Sequence, residues 1–252
     1  MISGRINGIE ANTYSRIWFD TFLGHIPGQV TDDEVAFLQR VLPLPAYRQV
    51  LDLCCGPGRH AVPLTESGYV ITGLDRDPIA LRQAEETLRG TRARFIEGDM
   101  RDLSDLPGPF DAAIIMWQSF GYFDPATNRH LLTELARALR PGGRLVLDLY
   151  HRAFFEAHPG TRTLESGGRH VEETKWMEGN RLHVTLDYGG GERESMEWQL
   201  FYPDEIVGLA EGEGFRPAVV CSQWQENVLP SPDVPRMQIV LSTPLGGRGH
   251  HE

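Results

Sequence analysis

Three acidic side chains stand at the ends of short apolar runs, where they would meet the polar groups of a bound ligand. Asp52 lies in the first run, directly before a Cys-Cys-Gly-Pro-Gly turn at 54–58. Asp75 follows Gly56 by about 20 residues, the spacing of an acid that accepts hydrogen bonds from ribose hydroxyls. Asp99 follows the third run in a Gly-Asp-Met sequence. Because glycines permit a sharp turn and the close approach of a ligand, this spacing predicts a site for a nucleotide-like molecule.

The apolar runs alternate with helical patterns, and this alternation predicts the fold. Helices are predicted at 78–89, where Asp77 caps the helix and Pro78 takes its first position, and at 124–139. The order predicts an α/β protein with a doubly wound, mostly parallel sheet, completed to seven strands by a late antiparallel pair. The predicted strands are 50–53, 69–74, 94–97, 110–116, 144–150, 215–225 and 235–243.

From residue 161 the pattern changes from apolar runs to interleaved polar and apolar residues. Four strand-like segments follow one another, separated by turns that contain glycine, which indicates an antiparallel meander. We therefore predict three parts. They are an N-terminal helical segment at 1–46, a main domain at 47–158 and 203–245, and an antiparallel β insertion at 159–202.

The composition is that of a globular protein with an acidic balance. Hydrophobic residues make up 40% and charged residues 23%, and the formal net charge is −11, with Lys175 as the only lysine. Because phosphate binding depends on clustered Lys and Arg, this balance argues against nucleic acid as a partner. No stretch approaches the roughly 20 apolar residues of a membrane span and no signal peptide pattern opens the chain, so a cytoplasmic location is predicted. Cys54, Cys55 and Cys221 indicate neither a disulfide framework nor a metal site.

The glycine turn alone leaves the class of ligand open. The Gly-x-Gly-x-x-Ala sequence at 56–61 fits the fingerprint of dinucleotide-binding proteins, so an NAD-dependent dehydrogenase remains an alternative. Three features favour a different class of protein from the dehydrogenases. They are Asp52 inside the strand-to-turn junction, the Gly-Asp-Met sequence at 98–100 and the terminal antiparallel pair. Together with Leu-Asp-Leu-Cys-Cys-Gly-Pro-Gly at 51–58, they resemble the class I S-adenosylmethionine-dependent methyltransferases over about residues 47–150.

The resemblance implies a role for each acid at the strand ends. Asp52 would hold the ammonium group of S-adenosylmethionine, Asp75 its ribose hydroxyls and Asp99 its adenine amino group. In the small-molecule branch of the family an N-terminal aromatic helix closes over the cofactor, so residues 1–46 would form a lid. Cys54 stands where the family most often has glycine, and its small side chain suits the same close approach. The other cofactor contacts that the resemblance implies are Tyr14, Trp18, Cys54, Gly56, Gly58, Arg76, Ile79, Met100, Met116 and Trp117.

The segment after the fourth predicted strand lies where open α/β sheets gather their substrate residues. Its Ser-Phe-Gly-Tyr sequence at 119–122 resembles an element of small-molecule N-methyltransferases, including those that act on amino sugars, with glycine N-methyltransferases as more distant relatives. Ser119 and Tyr122 would therefore contact the substrate. Tyrosine is a poor base at neutral pH, so Tyr122 is predicted to orient a nucleophile by a hydrogen bond. His151, directly after the fifth predicted strand, is a second catalytic candidate because histidine titrates near neutral pH.

Aromatic and acidic residues of the insertion suit an amine-bearing acceptor through cation–π and ion-pair contacts. Trp198 and Tyr202 are the substrate residues predicted there, although alternating Trp and Glu are equally typical of a half-buried strand. The stripe that contains Tyr14 and Trp18 likewise suits a buried core. The sequence predicts a methyltransferase that acts on a small-molecule acceptor by in-line transfer, with N-methylation preferred over O-methylation. A cofactor-binding protein without catalysis stays open, and the exposed edge of the insertion offers a surface for a homodimer.

Overall fold

The computed structural model describes residues 5–6, 9–10, 12 and 14–246 of the chain. From residue 49 to residue 157 strands and helices alternate, except that the strands at 94–97 and 110–115 are consecutive, and four consecutive strands then precede a last helix and two last strands. No helix in these ranges is long and apolar enough to cross a membrane. The strands are β1 (Arg5–Ile6), β2 (Ile9–Glu10), β3 (Gln49–Leu53), β4 (Val70–Asp75), β5 (Arg94–Glu97), β6 (Phe110–Ile115), β7 (Leu139–Tyr150), β8 (Gly160–Ser166), β9 (Arg169–Glu178), β10 (Arg181–Asp187), β11 (Arg193–Gln199), β12 (Arg216–Cys221) and β13 (Arg236–Ser242). The helices are α1 (Arg16–Thr21), a 3₁₀ turn (Leu23–His25), α2 (Gly28–Val41), α3 (Ala61–Glu66), α4 (Pro78–Thr87), α5 (Pro125–Ala138), α6 (Arg152–Ala157) and α7 (Pro203–Gly212).

The central sheet has seven strands in the order β12-β13-β7-β6-β3-β4-β5. The five strands from β7 to β5 are parallel, whereas β13 is antiparallel to both β7 and β12. The predicted doubly wound, mostly parallel sheet with a terminal antiparallel pair is therefore confirmed. Because parallel strands end at the same edge, this order brings Asp52, Asp75 and the loop that carries Asp99 to one side of the sheet.

Helices cover both faces of this sheet, which is why its strands are apolar runs. Ala113 and Ile115 of β6 share a core with residues of α5 and α7, whereas Ala112 and Ile114 share a core with residues of α2 and α3. All four side chains are fully buried. Successive side chains of a strand point to opposite faces, so a strand covered on both faces carries no polar alternation.

Strand β7 is longer than the predicted strand at 144–150. It begins at Leu139, which pairs with Phe110 ahead of a register shift, so the Pro-Gly-Gly sequence lies within the strand instead of before it. The side chain of Asp111 stabilises this irregular start, because it accepts a hydrogen bond from Arg140 Nε at 2.6 Å. The prediction that this strand begins at residue 144, which rested on the turn-forming Pro-Gly-Gly sequence, is therefore wrong.

Strands β8 to β11 form a separate antiparallel sheet in the order β11-β10-β9-β8, which confirms the predicted antiparallel insertion. One face of this sheet buries Val171, Leu182 and Trp198, and α1 packs against the same cluster. Helix α2 instead contributes Phe37 and Leu38 to the core of the central sheet. Within the predicted lid, only the part before α2 therefore lies against the insertion.

Candidate active site

The turn between β3 and α3 is shaped by left-handed residues and by Asp75. Cys54, Gly56 and Gly58 have φ angles of +60°, +54° and +85°, a region that is unstrained for glycine and unfavourable for cysteine. Asp75 Oδ2 accepts a hydrogen bond from the amide of Gly56 at 2.8 Å, and its Oδ1 accepts one from the amide of Asp77 at 3.0 Å. A Cβ at Gly56 would meet no atom within 4 Å, so the space in front of the turn is open. The carboxylate that we expect at a ribose thus also fixes the turn beside it.

Asp52 is buried beneath this turn, and its Oδ2 has no hydrogen-bond partner among the described residues. Burial and the charge of Asp75 raise the pKa of Asp52 to about 7, while the guanidinium of Arg59 acts in the opposite direction. A buried carboxylate oxygen without a partner is unfavourable by itself. Its position suits a cation over the turn, such as the ammonium group of an amino acid.

The residues expected around adenine lie at the ends of β4 and β5. Ile79 is 56% exposed and presents an apolar surface to a planar ligand. Asp99 accepts hydrogen bonds from the Nε and the amide of Arg101, both at 2.9 Å, and these lower its pKa. The side chain of Met100 is buried, with its Sδ 3.5 Å from Cys54 Sγ. The Asp99 carboxylate is thus held ionised at the edge where an amino group would donate to it.

The segment before α1 connects this edge to the insertion. The side chain of Asn12 exchanges two hydrogen bonds with the backbone of Glu197, at 2.9 and 3.1 Å, and its backbone oxygen accepts one from Arg76. Ser15 caps α1, and its amide donates to Glu194 Oε1 at 2.6 Å. Asn12 and Ser15 are therefore each bonded to β11, and Asn12 is also bonded to the residue after Asp75.

Strand β6 ends in two consecutive left-handed residues. Trp117 and Gln118 have φ angles of +56° and +61°, and their amides donate to Asp148 Oδ2 at 3.1 Å and Asp148 O at 3.0 Å. The side chain of Met116 is buried in the core below α2, so only its backbone reaches the sheet edge, where its oxygen accepts from the amide of Ser119 at 3.2 Å. Consecutive left-handed residues other than glycine are unfavourable and mark a constrained position. Trp117 therefore lies at the edge, whereas the contact predicted for Met116 is open to its backbone atoms alone, and both contacts stay predictions.

Five aromatic rings from three parts of the chain meet beside this strand end, and we call them the aromatic chamber. The hydroxyl groups of Tyr14 and Tyr122 are hydrogen bonded at 2.8 Å, and the Tyr14 ring lies 4.6 Å from Trp18. Trp198 lies 6.1 Å from the ring of Tyr122 and 6.0 Å from that of Tyr150. Burial raises the pKa of Tyr122 to about 12 and raises that of Tyr14 well above its usual value. The chamber therefore offers neutral hydrogen-bonding groups and aromatic surfaces at neutral pH.

Gly121 holds the loop after β6 against the insertion. Its oxygen accepts from the amide of Gln199 at 2.8 Å, and at its φ of +102° a Cβ would overlap the backbone oxygen of Gln199. The fully buried Asn128 donates to Gln199 Oε1 at 2.9 Å and to the backbone oxygen of Phe123 at 2.8 Å. The loop that carries Tyr122 and the strand that carries Trp198 are thus fixed relative to each other.

Two predicted residues do not join the chamber. Tyr202 precedes α7, its hydroxyl donates to Glu156 at 2.6 Å, and its ring lies under the guanidinium of Arg152. These contacts link α6 and α7, and the predicted substrate contact of Tyr202 stays a prediction. His151 begins α6 as a buried residue whose amide donates to the oxygen of Pro235 at 2.9 Å. Burial lowers its pKa, and within the described ranges its Nδ1 has no partner. No described hydrogen bond connects His151 to the chamber.

Sequence reasoning missed two residues at this site, Tyr150 and Glu34. Tyr150 is the last residue of β7, and its place at a carboxyl strand end would have been a signal. Glu34 is buried and hydrogen bonded to Trp117, but it stands among acids at 32–34 that suggest an exposed first helical turn. Across the described ranges, no group of three or more His, Cys, Asp or Glu side chains is placed to hold a metal ion.

The order of the central sheet and the glycine turn after β3 agree with the resemblance of the sequence to the class I methyltransferases. Residues 50–143 match the family described as a methyltransferase domain. This match, which extends from β3 into β7, identifies a methyltransferase domain within the chain.

Curated relatives and solved structures agree with this family. The putative methyltransferase YqeM of Bacillus subtilis is 28% identical over 52% of this chain and 52% of its own length. A glycine/sarcosine N-methyltransferase of Parasynechococcus marenigrum is 32% identical over 59% of this chain and 53% of its own. The chain thus spans about half the length of the curated relatives it matches.

Two solved structures share the fold over most of their length. The methyltransferase CcbJ of Streptomyces caelestis superposes with a TM-score of 0.74 at 16% identity, covering 86% of this chain and 90% of that one. The sugar N-methyltransferase KedS8 of a Streptoalloteichus species does so with a TM-score of 0.71 at 22% identity, covering 97% and 99%. At these identities the likeness shows the fold alone.

Proposed function

We propose that this chain transfers a methyl group from S-adenosylmethionine to a nitrogen atom of a small-molecule acceptor. When bound, the cofactor supplies an electrophilic methyl group on a sulfonium. The chain would bind it over the glycine turn, exclude water and align the acceptor with the methyl group. The names of two similar proteins, a glycine/sarcosine N-methyltransferase and a sugar N-methyltransferase, support a small nitrogen acceptor.

The open turn and its acids support the cofactor. Asp75 would accept hydrogen bonds from the ribose hydroxyls while it continues to hold the Gly56 amide. The unpartnered Oδ2 of Asp52 would accept from the ammonium group of the methionine part. Asp99 would accept from the adenine amino group, and the exposed side chain of Ile79 would pack on the ring. Asp52 Oδ2 has no partner among the described residues, and the side chain of Ile79 has exposed surface.

The observation that carries the choice of nitrogen is the hydrogen bond between Tyr14 and Tyr122. A hydroxyl acceptor must lose its proton during transfer, which calls for a general base. In the described part of the chamber, these two hydroxyls bind each other instead of a carboxylate or an imidazole, and burial raises both their pKa values. An amine attacks in its neutral form, after its ammonium form has lost a proton to water, and its N–H proton leaves after the transfer, so the transfer step itself needs no general base. Tyr122 would supply that orientation, with Trp198 and Tyr150 enclosing the acceptor.

Calorimetry with S-adenosylhomocysteine and with NAD tests the cofactor. We expect binding of S-adenosylhomocysteine and no binding of NAD; binding of NAD alone would support a dehydrogenase. Incubation of the purified protein with a metabolite extract and methyl-labelled cofactor then tests the reaction. Labelled N-methyl products support the proposal, labelled O-methyl products reject the nitrogen preference, and cofactor binding without any product supports a binding protein. Light scattering of the same sample tests the predicted homodimer.

A further inference from the structure

Trp117 is held by two ion pairs, each formed by an arginine and a buried carboxylate. The guanidinium carbons of Arg59 and Arg236 lie 4.7 and 5.6 Å from the centroid of its ring. Arg59 is paired with Glu34, and Arg236 is paired with Asp148. Both carboxylates also bind the tryptophan, because Glu34 Oε1 accepts from its Nε1 at 2.7 Å and Asp148 Oδ2 from its amide at 3.1 Å. The side chain and the backbone of Trp117 are therefore each fixed by a buried carboxylate.

Glu34 has no contact with solvent that would compete with these bonds, since it is 1% exposed. Its Oε2 accepts from Arg59 Nη1 at 2.5 Å and lies 2.8 Å from His60 Nε2. Burial opposes ionisation of Glu34, but the contacts with His60 and Arg59 outweigh it and lower the pKa of this carboxyl to about 2. The side chain thus carries a full negative charge with every donor around it directed at its two oxygens.

These contacts join two walls of the site. Arg59 and His60 directly follow the glycine turn at 54–58, whereas Trp117 lies two residues after β6, in the loop that carries Tyr122. Glu34 itself belongs to α2, which is packed on the sheet through a fully buried face. One carboxylate on a rigid helix therefore sets the distance between the cofactor turn and the wall of the acceptor site.

We propose that Glu34 is a positioning residue that fixes the Trp117 indole beside the methyl-transfer site. This inference rests on the proposed function. Without a partner at Nε1, the indole would keep only the guanidinium groups of Arg59 and Arg236 against its ring. A displaced indole would weaken binding of the cofactor.

A double-mutant cycle on Glu34→Gln and Trp117→Phe tests the inference. A glutamine offers one carbonyl oxygen where three donors converge, and a phenylalanine keeps an aromatic ring but has no N–H. We expect each single variant to bind S-adenosylmethionine about tenfold more weakly, and the double variant to bind no more than about twofold more weakly than either, because both changes break one contact. Asp33→Asn is the matched control, since it removes a charge from the neighbouring exposed residue of α2 and should leave affinity unchanged.

Near-ultraviolet circular dichroism provides a measurement that needs no ligand. The difference between wild type and Trp117→Phe defines the signal of Trp117, and we expect Glu34→Gln to lose most of that signal while its far-ultraviolet spectrum is unchanged. A retained Trp117 signal, or affinity losses that multiply in the double variant, would overturn the inference. If Glu34→Gln does not fold, Glu34→Asp, which is one methylene shorter and keeps the charge, must lose the same signal. If the wild type binds no S-adenosylmethionine, the proposed function fails and the spectra alone decide the role of Glu34.

Discussion

The hydroxyl oxygens of Tyr14 and Tyr122 lie 2.8 Å apart, although 108 positions separate them in the chain. Tyr14 precedes α1 and Tyr122 follows β6, so this contact closes the N-terminal segment over the carboxyl edge of the central sheet. In a hydrogen bond between two hydroxyls one group donates and the other accepts, so one O–H proton remains for another partner. The pair therefore keeps one O–H donor, and its oxygens keep lone pairs that can accept from an N–H of an acceptor molecule and leave the nitrogen lone pair free.

The first prediction concerns the hydroxyl of Tyr122. Tyr122→Phe should lower the turnover of methyl transfer about fivefold, since one orienting hydrogen bond contributes about 1 kcal/mol. Affinity for S-adenosylhomocysteine should stay within about twofold, because the ring and its packing are kept. Tyr202→Phe is the matched control, as it removes a hydroxyl that binds Glu156 outside the chamber, and its turnover should equal that of the wild type. Equal turnover of the two variants would remove Tyr122 from the acceptor site.

The second prediction concerns the cofactor affinity supplied by Asp75. Asp75→Ala should weaken binding of S-adenosylhomocysteine by about a hundredfold or more, because a hydrogen bond to a charged group contributes about 1.5 kcal/mol and a ribose offers two. The variant should also lose some thermal stability, since Gly56 and Asp77 lose their acceptor. Asp77→Asn alters only the cap of α4, where Asp77 accepts from the amide of Ile79 at 2.8 Å, and it should bind normally. Unchanged affinity in calorimetry of Asp75→Ala would refute the ribose assignment.

The third prediction is a pH dependence that originates in Asp52. Burial and the charge of Asp75 raise the pKa of Asp52 to about 7, so much of it carries a proton at neutral pH. An ammonium group binds the ionised form, and binding must therefore release a proton. Affinity for S-adenosylhomocysteine should rise as the pH increases from 6 to 8, and calorimetry in buffers of different ionisation enthalpy should detect the released proton. Asp52→Asn should bind more weakly and release none. An affinity that is flat with pH in the wild type would contradict this role.

The stability of the unliganded protein provides a control for the same group. The pKa of Asp52 is raised above its usual value of 3.8, so the unfolded chain releases this proton at lower pH than the folded chain. The contribution of Asp52 to folding stability is then fully present below pH 4 and declines as the pH rises to about 7. Asp52→Asn cannot ionise, so its advantage in unfolding free energy over the wild type should grow between pH 4 and 7 and stay constant above. A difference that is the same at pH 4 and pH 8 would show that Asp52 ionises normally.

The sequence predicts those residues of the site that lie at the carboxyl ends of the parallel strands. The positions of Asp52 and Asp75 follow from two apolar runs, because strands buried on both faces are continuous in sequence and parallel strands end at one edge. Trp198 was placed correctly on a strand, and its register opposite Leu182 sets the face that it presents. The same pattern does not place Tyr202, because this residue lies beyond that strand. Strand β11 ends at Gln199, so the alternation of faces does not extend to Tyr202.

The part that sequence patterns do not predict depends on contacts between distant segments. Glu34 is an acid near the start of a helix, a position that commonly faces solvent, and only the packing of α2 buries it beside Arg59. The pairing of Tyr14 with Tyr122 likewise requires the insertion, because α1 rests on that sheet. Neither contact joins residues at a regular spacing in the chain, so a single sequence does not predict it.

The fourth prediction concerns the close approach of Gly121 to β11. A Cβ at this residue would overlap the backbone oxygen of Gln199, and φ is +102°, so Gly121→Ala combines backbone strain with a steric clash. We expect a loss of about 3 kcal/mol in the free energy of unfolding, measured in urea, since strain and overpacking each contribute about 1–3 kcal/mol. The clash would move the loop that carries Tyr122 away from Trp198, so turnover should also fall.

Gly189→Ala separates the two contributions. Gly189 has a φ of +80° in the turn after β10, but a Cβ there would meet no atom within 4 Å. Its loss should be about 1 kcal/mol, because only the left-handed conformation of an alanine is involved. Equal losses in the two variants would mean that the contact between Gly121 and Gln199 adds nothing beyond backbone strain, and that this contact does not hold the acceptor loop against the insertion.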